Sequence, residues 1–81
     1  MNAKLYDELV ALVKAHKWQE LLRSLPAGEP VPLTFDAVED MNNIRSVASR
    51  LNSMGQDECR YSFSGLNYSS RILAVTAIPK N

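Results

Sequence analysis

The side chains best suited to contacting a partner lie in the middle of the chain. From Asn42 to Ser53, the positions that a helix would turn outward carry arginine, asparagine and serine, and no carboxylate. Guanidinium, amide and hydroxyl groups contact phosphates and base edges. Two further arginines are expected to lie near each other across a following hairpin. The candidate contact residues are Asn42, Arg45, Ser46, Ser49, Arg50, Arg60 and Arg71.

The two halves of the chain differ in net charge. Its 81 residues include nine basic and nine acidic side chains, so no net charge steers it towards nucleic acid or membrane. Residues 1–40 contain four basic and seven acidic residues, a net charge of −3, whereas residues 41–81 contain five basic and two acidic residues, a net charge of +3. Three interpretations stay open: the arginines pair with acidic residues of the N-terminal half, contact nucleic acid, or contact an acidic surface of a protein partner.

Groups that commonly perform catalysis are scarce. His16 is the single histidine, and nothing in the sequence fixes an orienting partner or a nucleophile beside it, so we expect it at a surface helix junction. Cys59 is the single cysteine and alternates with Tyr61 and Phe63, which predicts an inert, core-facing thiol. The three glycines are scattered and form no phosphate-binding loop. We therefore expect no enzymatic activity, no catalytic residue, no cofactor and no metal.

The N-terminal 25 residues are helical in composition, but their apolar residues change face. At about 100° per residue, the two halves of this segment place their apolar clusters roughly 170° apart. We therefore predict a break near His16 and Lys17, giving two short helices that end at Leu25, before Pro26. The two clusters are Leu5, Leu9, Leu12 and Val13, then Trp18, Leu21, Leu22 and Leu25.

One amphipathic helix of about 17 residues is predicted after residue 36, ending before Gly55. Asp36 is the expected N-cap, and Glu39 three residues later completes a variant of the capping box. Its apolar stripe is Val38, Met41, Ile44, Ala48 and Leu51, widened by Val47.

Three segments alternate as strands. Residues 31–35 predict a short strand at a sheet edge, because Pro32 has no N–H to donate to a neighbouring strand. Residues 59–64 alternate as well, and a turn is expected at 65–69. Residues 72–78 are apolar on both faces, which predicts a central strand covered on both sides.

These elements predict a single α+β domain over residues 1–81. It comprises a helical segment at 1–25, a linker at 26–30 and a β-α-β-β unit at 31–79. The three strands of this unit are expected to form an antiparallel sheet in the order first, third, second. The capped helix is expected on one face of the sheet. The N-terminal helices or a second copy of the chain would cover the other face, because a bare apolar patch is unusual on a monomer.

An alternative fold comes from a resemblance. The helix end Arg-Leu-Asn-Ser-Met-Gly at 50–55 and the hairpin ending in Ala-Val-Thr-Ala-Ile are similar to the recognition helix and wing of winged helix-turn-helix domains. The resemblance covers about half of the chain and rests on no specific motif. It would require a turn within the helix, for which Asn42 and Asn43 are the available site.

The function expected from these features is binding. A non-enzymatic accessory or regulatory protein would act through a protein–protein surface, including self-association as a homodimer. The alternative is a nucleic-acid-binding protein that uses the arginine-bearing helix face and the hairpin. A cytoplasmic location with no membrane partner is expected, because the N-terminus lacks an uncharged secretory core and a lone free thiol suits a reducing compartment.

Overall fold

The computed structural model describes residues 3–80, which form three helices and one three-stranded antiparallel sheet. This arrangement confirms the predicted α+β class with helices packed on the sheet. In chain order, the elements are α1 (Ala3–Lys14), α2 (Trp18–Arg23), β1 (Val31–Thr34), α3 (Val38–Met54), β2 (Cys59–Asn67) and β3 (Ile72–Pro79).

The N-terminal helical segment is broken where its apolar face changes side. His16 adopts a left-handed backbone with φ of 58°, which ends α1 and lets α2 begin at Trp18. Because the two helices are separate, Leu9 on α1 and Leu21 on α2 are both fully buried in the same core. The predicted break is confirmed, although α2 ends at Arg23 rather than at Leu25.

Helix α3 has the predicted length of 17 residues, but it begins differently from the prediction. Its N-cap is Ala37, which is extended and makes no side-chain cap, so the capping box of Asp36 and Glu39 is wrong. The chain stays extended beyond β1 because the N–H of Phe35 donates to the carbonyl of Arg71 at 2.8 Å. At the other end, the helix stops before Gly55 as predicted, and Gly55 adopts the left-handed conformation that ends it.

The sheet has the predicted strand order β1-β3-β2. Pro32 lies on the edge strand β1 opposite Ala74, so its missing N–H costs no ladder hydrogen bond. The hairpin turn lies at residues 68–71 rather than at 65–69. A register shift between Ser64 and Asn67 keeps the intervening residues within β2 as a bulge.

All three helices pack on one face of the sheet, so the expectation that β3 is covered on both sides is wrong for the single chain. Leu73 and Val75 join the helices in one core, whereas Ile72 and Ile78 on the opposite face are 36% and 44% exposed. The rings of Trp18 on α2 and Phe35 lie 6.0 Å apart between centroids, and both residues belong to the same buried core as Met41 and Ile44 of α3. We call the uncovered surface the open sheet face; it consists of Pro32, Thr34, Arg60, Ser62, Ser64, Ile72, Ala74, Thr76 and Ile78.

The winged helix-turn-helix alternative does not describe this fold. Helix α3 runs without interruption through Asn42 and Asn43, so the helix-turn-helix unit that the resemblance requires is absent from residues 3–80. The prediction of one uninterrupted helix before Gly55 is therefore confirmed.

Candidate binding site

A groove of about 650 Å³ runs between α3 and β2, and we call it the α3–β2 groove. This volume lies within the range of natural ligand sites. Two aromatic residues of β2 and six polar residues of α3 line it, and none of them is a carboxylate. The lining residues are Asn42, Arg45, Ser46, Ser49, Asn52, Ser53, Tyr61 and Phe63.

The periodicities of helix and strand account for this lining. Asn42, Ser46 and Ser49 follow three- and four-residue steps along α3, which place them on one side of the helix beside its buried stripe. Tyr61 and Phe63 are two residues apart on β2 and therefore share the helix-covered face of the sheet. The groove thus has a polar wall from α3 and an aromatic floor from β2.

Two side-chain contacts hold α3 alongside β2. At one end, the Asn52 carboxamide accepts the N–H of Tyr61 and donates to its carbonyl, both at 2.9 Å. Towards the other end, Nη1 of Arg45 donates to the hydroxyl of Tyr68 at 3.4 Å. Helix α3 and strand β2 therefore run in opposite directions, with Phe63 lying between the two contacts.

Hydrogen bonds among Tyr61, Asp57 and Arg23 hold the Tyr61 side chain in place. The Tyr61 hydroxyl donates to Asp57 at 2.5 Å, and Arg23 donates to both oxygens of the same carboxylate at 3.0 and 3.2 Å. Hydrogen bonds from Arg23 and then Tyr61 lower the pKa of Asp57, although partial burial opposes them. Burial, followed by the hydrogen bond to Asp57, raises the pKa of Tyr61 far above its usual value. This network ties α2 to β2 and keeps the Tyr61 ring in place.

The structure brings together four of the seven candidate contact residues, namely Asn42, Arg45, Ser46 and Ser49. The other three lie elsewhere. Arg50 is exposed on α3 outside the groove, and Arg60 belongs to the open sheet face. Arg71 donates from Nε to the carbonyl of Phe35 at 3.1 Å.

The expectation that Arg60 and Arg71 lie near each other is wrong. Arg60 pairs with Ile78 at the far end of β3, whereas Arg71 directly precedes the first residue of that strand. In an antiparallel hairpin, the first residues of one strand meet the last residues of the other, so the strand length of roughly 20 Å separates the two side chains.

The arginines of the C-terminal half are not neutralised by the acidic N-terminal half. Between residues 3 and 80, no carboxylate lies within 4.0 Å of a guanidinium of Arg45, Arg50, Arg60 or Arg71. Within residues 3–80, the ion pair that joins residues 1–40 to residues 41–81 is Arg23 with Asp57, in which the N-terminal half supplies the basic residue. The interpretation in which these arginines pair with the acidic residues of residues 1–40 is therefore wrong.

Sequence reasoning left Asn52, Ser53, Tyr61 and Phe63 out of the candidate site. Tyr61 was assigned to the core, and it is 5% exposed, but it also lines the groove. The alternation of residues 59–64 indicated which face Phe63 shares, but no sequence signal shows how far α3 lies from β2. The pairing of Asn52 with Tyr61 depends on that spacing.

The groups considered for catalysis stay apart from the groove. His16 lies at the α1–α2 junction, as expected, with Nε2 3.5 Å from Asp40 and its ring stacked on Trp18. Cys59 is a free, half-buried thiol. Among the described residues, no three His, Cys, Asp or Glu side chains are placed to hold a metal ion.

Comparisons with protein-family models, curated proteins and solved structures found no match for this chain. None of the helices within residues 3–80 has the length and apolarity needed to cross a membrane.

Proposed function

We propose that this chain is a non-enzymatic binding protein that recognises a protein partner through the α3–β2 groove. The observation that carries the proposal is the convergence of four candidate contact residues with two aromatic residues in one groove that lacks carboxylates. Arg45 lines this groove without an acidic partner from the described chain, so its charge is available to a ligand.

The chemistry of the lining favours binding over catalysis. Amide, hydroxyl and guanidinium groups offer both hydrogen-bond donors and acceptors, which suits peptide groups and carboxylates. A general base must change its protonation state near neutral pH, and none of the asparagine, serine, arginine, tyrosine and phenylalanine lining residues ordinarily does so. The half-buried Phe63 supplies apolar area at the floor.

A selection from random linear peptides tests the proposal. Peptides enriched on the wild-type chain should perturb backbone NMR signals of residues 42–53 and 61–63. Their affinity should fall at least tenfold in Ser46→Tyr, because the new ring would fill the groove. Asn43→Tyr is the matched control, since Asn43 is exposed on α3 and does not line the groove. The proposal is wrong if no peptide is enriched, or if enriched peptides bind both variants equally.

Self-association as a homodimer is a second candidate, and the open sheet face favours it. Ile72 and Ile78 are large exposed apolar residues there, and Thr76 between them is half-buried. We expect a dimer mass by light scattering at high micromolar concentration and a monomer mass for Thr76→Lys, with Asn43→Lys as the control. A wild-type monomer at that concentration would remove this candidate.

Nucleic acid is the remaining candidate partner, favoured by Arg45 beside the aromatic residues Tyr61 and Phe63. Binding of labelled single-stranded and duplex oligonucleotides would weaken steeply between roughly 50 and 200 mM salt if phosphates were contacted. Arg45→Ala combined with Arg50→Ala should then abolish it. An absence of binding at low salt would exclude this candidate and leave the peptide groove as the proposed site.

We also propose a cytoplasmic location. Cys59 is a free thiol with no partner cysteine in the sequence, a state that persists best in a reducing compartment. Fractionation of the native host's cells should recover the protein with the cytoplasm, and recovery from an oxidising compartment would contradict the proposal.

A further inference from the structure

We infer that the partner docks as an extended acidic segment that pairs with the outer edge of β2 and adds a fourth strand beside α3. This inference rests on the proposed function and specifies the conformation and charge of the ligand. It follows from the backbone geometry of β2, from the position of Asn52 and from the charge of the groove.

The orientation of the β2 backbone can be determined from its hydrogen bonds. Tyr61 directs both its N–H and its carbonyl to Asn52 on α3, so these two groups point away from β3. On the inner side, the carbonyl of Glu58 accepts the N–H of Lys80 beyond the end of β3. Backbone groups alternate along an antiparallel strand, so Phe63, two residues after Tyr61, also presents its N–H and carbonyl to the outer edge.

This edge is a template for a further strand. Strand β2 is the last strand on its side of the sheet, and outward N–H and carbonyl groups on such a strand bind extended peptides by β-augmentation. The groove lies along this edge, with Phe63 among its lining residues and α3 as the opposite wall. An extended chain placed there would pair with β2 and direct every second side chain towards α3.

Asn52 limits where pairing can occur. Its carboxamide bonds the same two backbone groups of Tyr61 that an incoming strand would use. The outward N–H and carbonyl of Tyr61 therefore already have a partner within the chain. The outward backbone groups of Phe63 are left for the ligand. A segment that extends as far as Tyr61 must displace Asn52, whereas a shorter segment does not.

The charge of the groove selects an acidic ligand. Arg45 is the charged residue of the lining, and its contact within residues 3–80 is the neutral hydroxyl of Tyr68. An Asp or Glu side chain on the ligand face that is turned towards α3 would pair with this exposed guanidinium. A basic segment would meet an uncompensated like charge at the same position.

The test uses a synthetic peptide of about eight residues, long enough to span roughly 25 Å when extended, with alternating valine and threonine and one aspartate. N-methylation of each peptide nitrogen in turn should weaken binding by roughly tenfold at the position that pairs with Phe63 and should have little effect at its two neighbours, whose N–H groups would point away from β2. The Phe63 amide should become protected from hydrogen exchange. A lysine in place of the aspartate should weaken binding to the wild-type chain but not to Arg45→Ala.

The outcomes separate this inference from the proposed function. Sensitivity to N-methylation at one peptide position and not at its two neighbours, together with protection of the Phe63 amide, supports strand addition. A peptide that binds in the groove with no such difference between neighbouring positions, or without protection of the Phe63 amide, overturns strand addition and leaves the groove as a binding site. If no peptide perturbs the groove while an oligonucleotide does, both the peptide partner and the added strand are wrong.

An Asn52 variant provides a second readout. In Asn52→Ala, a peptide that reaches Tyr61 should bind several-fold more tightly than it binds the wild-type chain, because it no longer displaces the carboxamide. A shorter peptide that ends at Phe63 should gain less affinity from this substitution than the longer peptide does, and a circular dichroism spectrum like that of the wild-type chain shows that the variant is folded. Asn43→Ala is the control. Equal affinities of the longer peptide for both chains would contradict the role of Asn52.

Discussion

At the scale of single residues, Asn52 links the helix to the sheet. Its carboxamide replaces a neighbouring strand for the backbone of Tyr61, and the contact is partly buried. Removing it leaves a donor and an acceptor that depend on water at a crowded edge. The residue therefore acts on stability and on the access of a ligand to β2.

We predict that Asn52→Ala lowers the free energy of unfolding by about 1–3 kcal/mol, the cost of leaving partly buried hydrogen-bonding groups without a partner. Urea unfolding monitored by circular dichroism measures this change. Asn43→Ala, at an exposed position of the same helix, should change the free energy by less than about 0.5 kcal/mol. Equal effects of the two substitutions would show that the Asn52 contact contributes nothing to stability.

Asp57 makes stability depend on acidity. Its pKa is lower in the folded chain than the usual unfolded value of about 3.9, mainly because Arg23 and Tyr61 donate to it. A lowered folded-state pKa gives stabilisation that is present above the unfolded pKa and lost as the pH falls through the folded pKa. We predict that the stability difference between the wild-type chain and Asp57→Asn shrinks below about pH 4. Urea midpoints measured from neutral pH down to acid test this, and a difference that does not change with pH would contradict it.

Residue types and spacing were sufficient to select Asn42, Arg45, Ser46 and Ser49, because a helix of known phase brings them to one side. They were not sufficient to show that Asn52 bonds to Tyr61 or that Phe63 lines the same groove, because both depend on α3 lying beside the edge of β2. The expected proximity of the hairpin arginines failed for a different reason. It ignored that paired strands run in opposite directions.

At the scale of elements, α3 shows which helix signals the sequence carries. Its apolar stripe and Gly55 predicted the length and the C-terminus, because a left-handed residue stops the helix. The N-terminus was wrong because a cap depends on where the chain leaves β1. Phe35 is held by Arg71, which keeps Ala37 extended and places Asp36 outside the helix.

We predict that Gly55→Ala costs about 1 kcal/mol and that Gly55→Asn costs less, because asparagine tolerates a left-handed backbone better than alanine. A Cβ at this position would meet nothing within 4 Å, so the cost is conformational rather than steric. Thermal unfolding of the two variants provides the measurement. An alanine variant as stable as the wild-type chain would contradict the assigned role of Gly55.

At the scale of the whole molecule, the three helices share one face of the sheet. The break at His16 makes this possible, because it turns the apolar sides of α1 and α2 towards the same core. Hydrophobicity on both faces of β3 suggested cover on both sides. This apolar pattern could not show that the helices of the chain cover one face of the sheet and leave the other face open.

Neighbouring residues on β3 test this one-sided core. We predict that Leu73→Ala, at a position 1% exposed, costs about 2–5 kcal/mol, whereas Ile72→Ala, at a position 36% exposed, costs less than about 1 kcal/mol. Chemical unfolding at low protein concentration measures both. Similar costs at low concentration would contradict the one-sided packing. An Ile72→Ala cost that grows with concentration would instead support the homodimer.

The most direct test of the central claim is an NMR titration of the chain with the short acidic peptide. We predict that backbone signals of residues 42–49 and of Phe63 shift together, that the Phe63 amide becomes protected, and that Ser46→Tyr abolishes both effects. Shifts confined to the open sheet face, or none at saturating peptide, would contradict the assignment of the α3–β2 groove as the binding site.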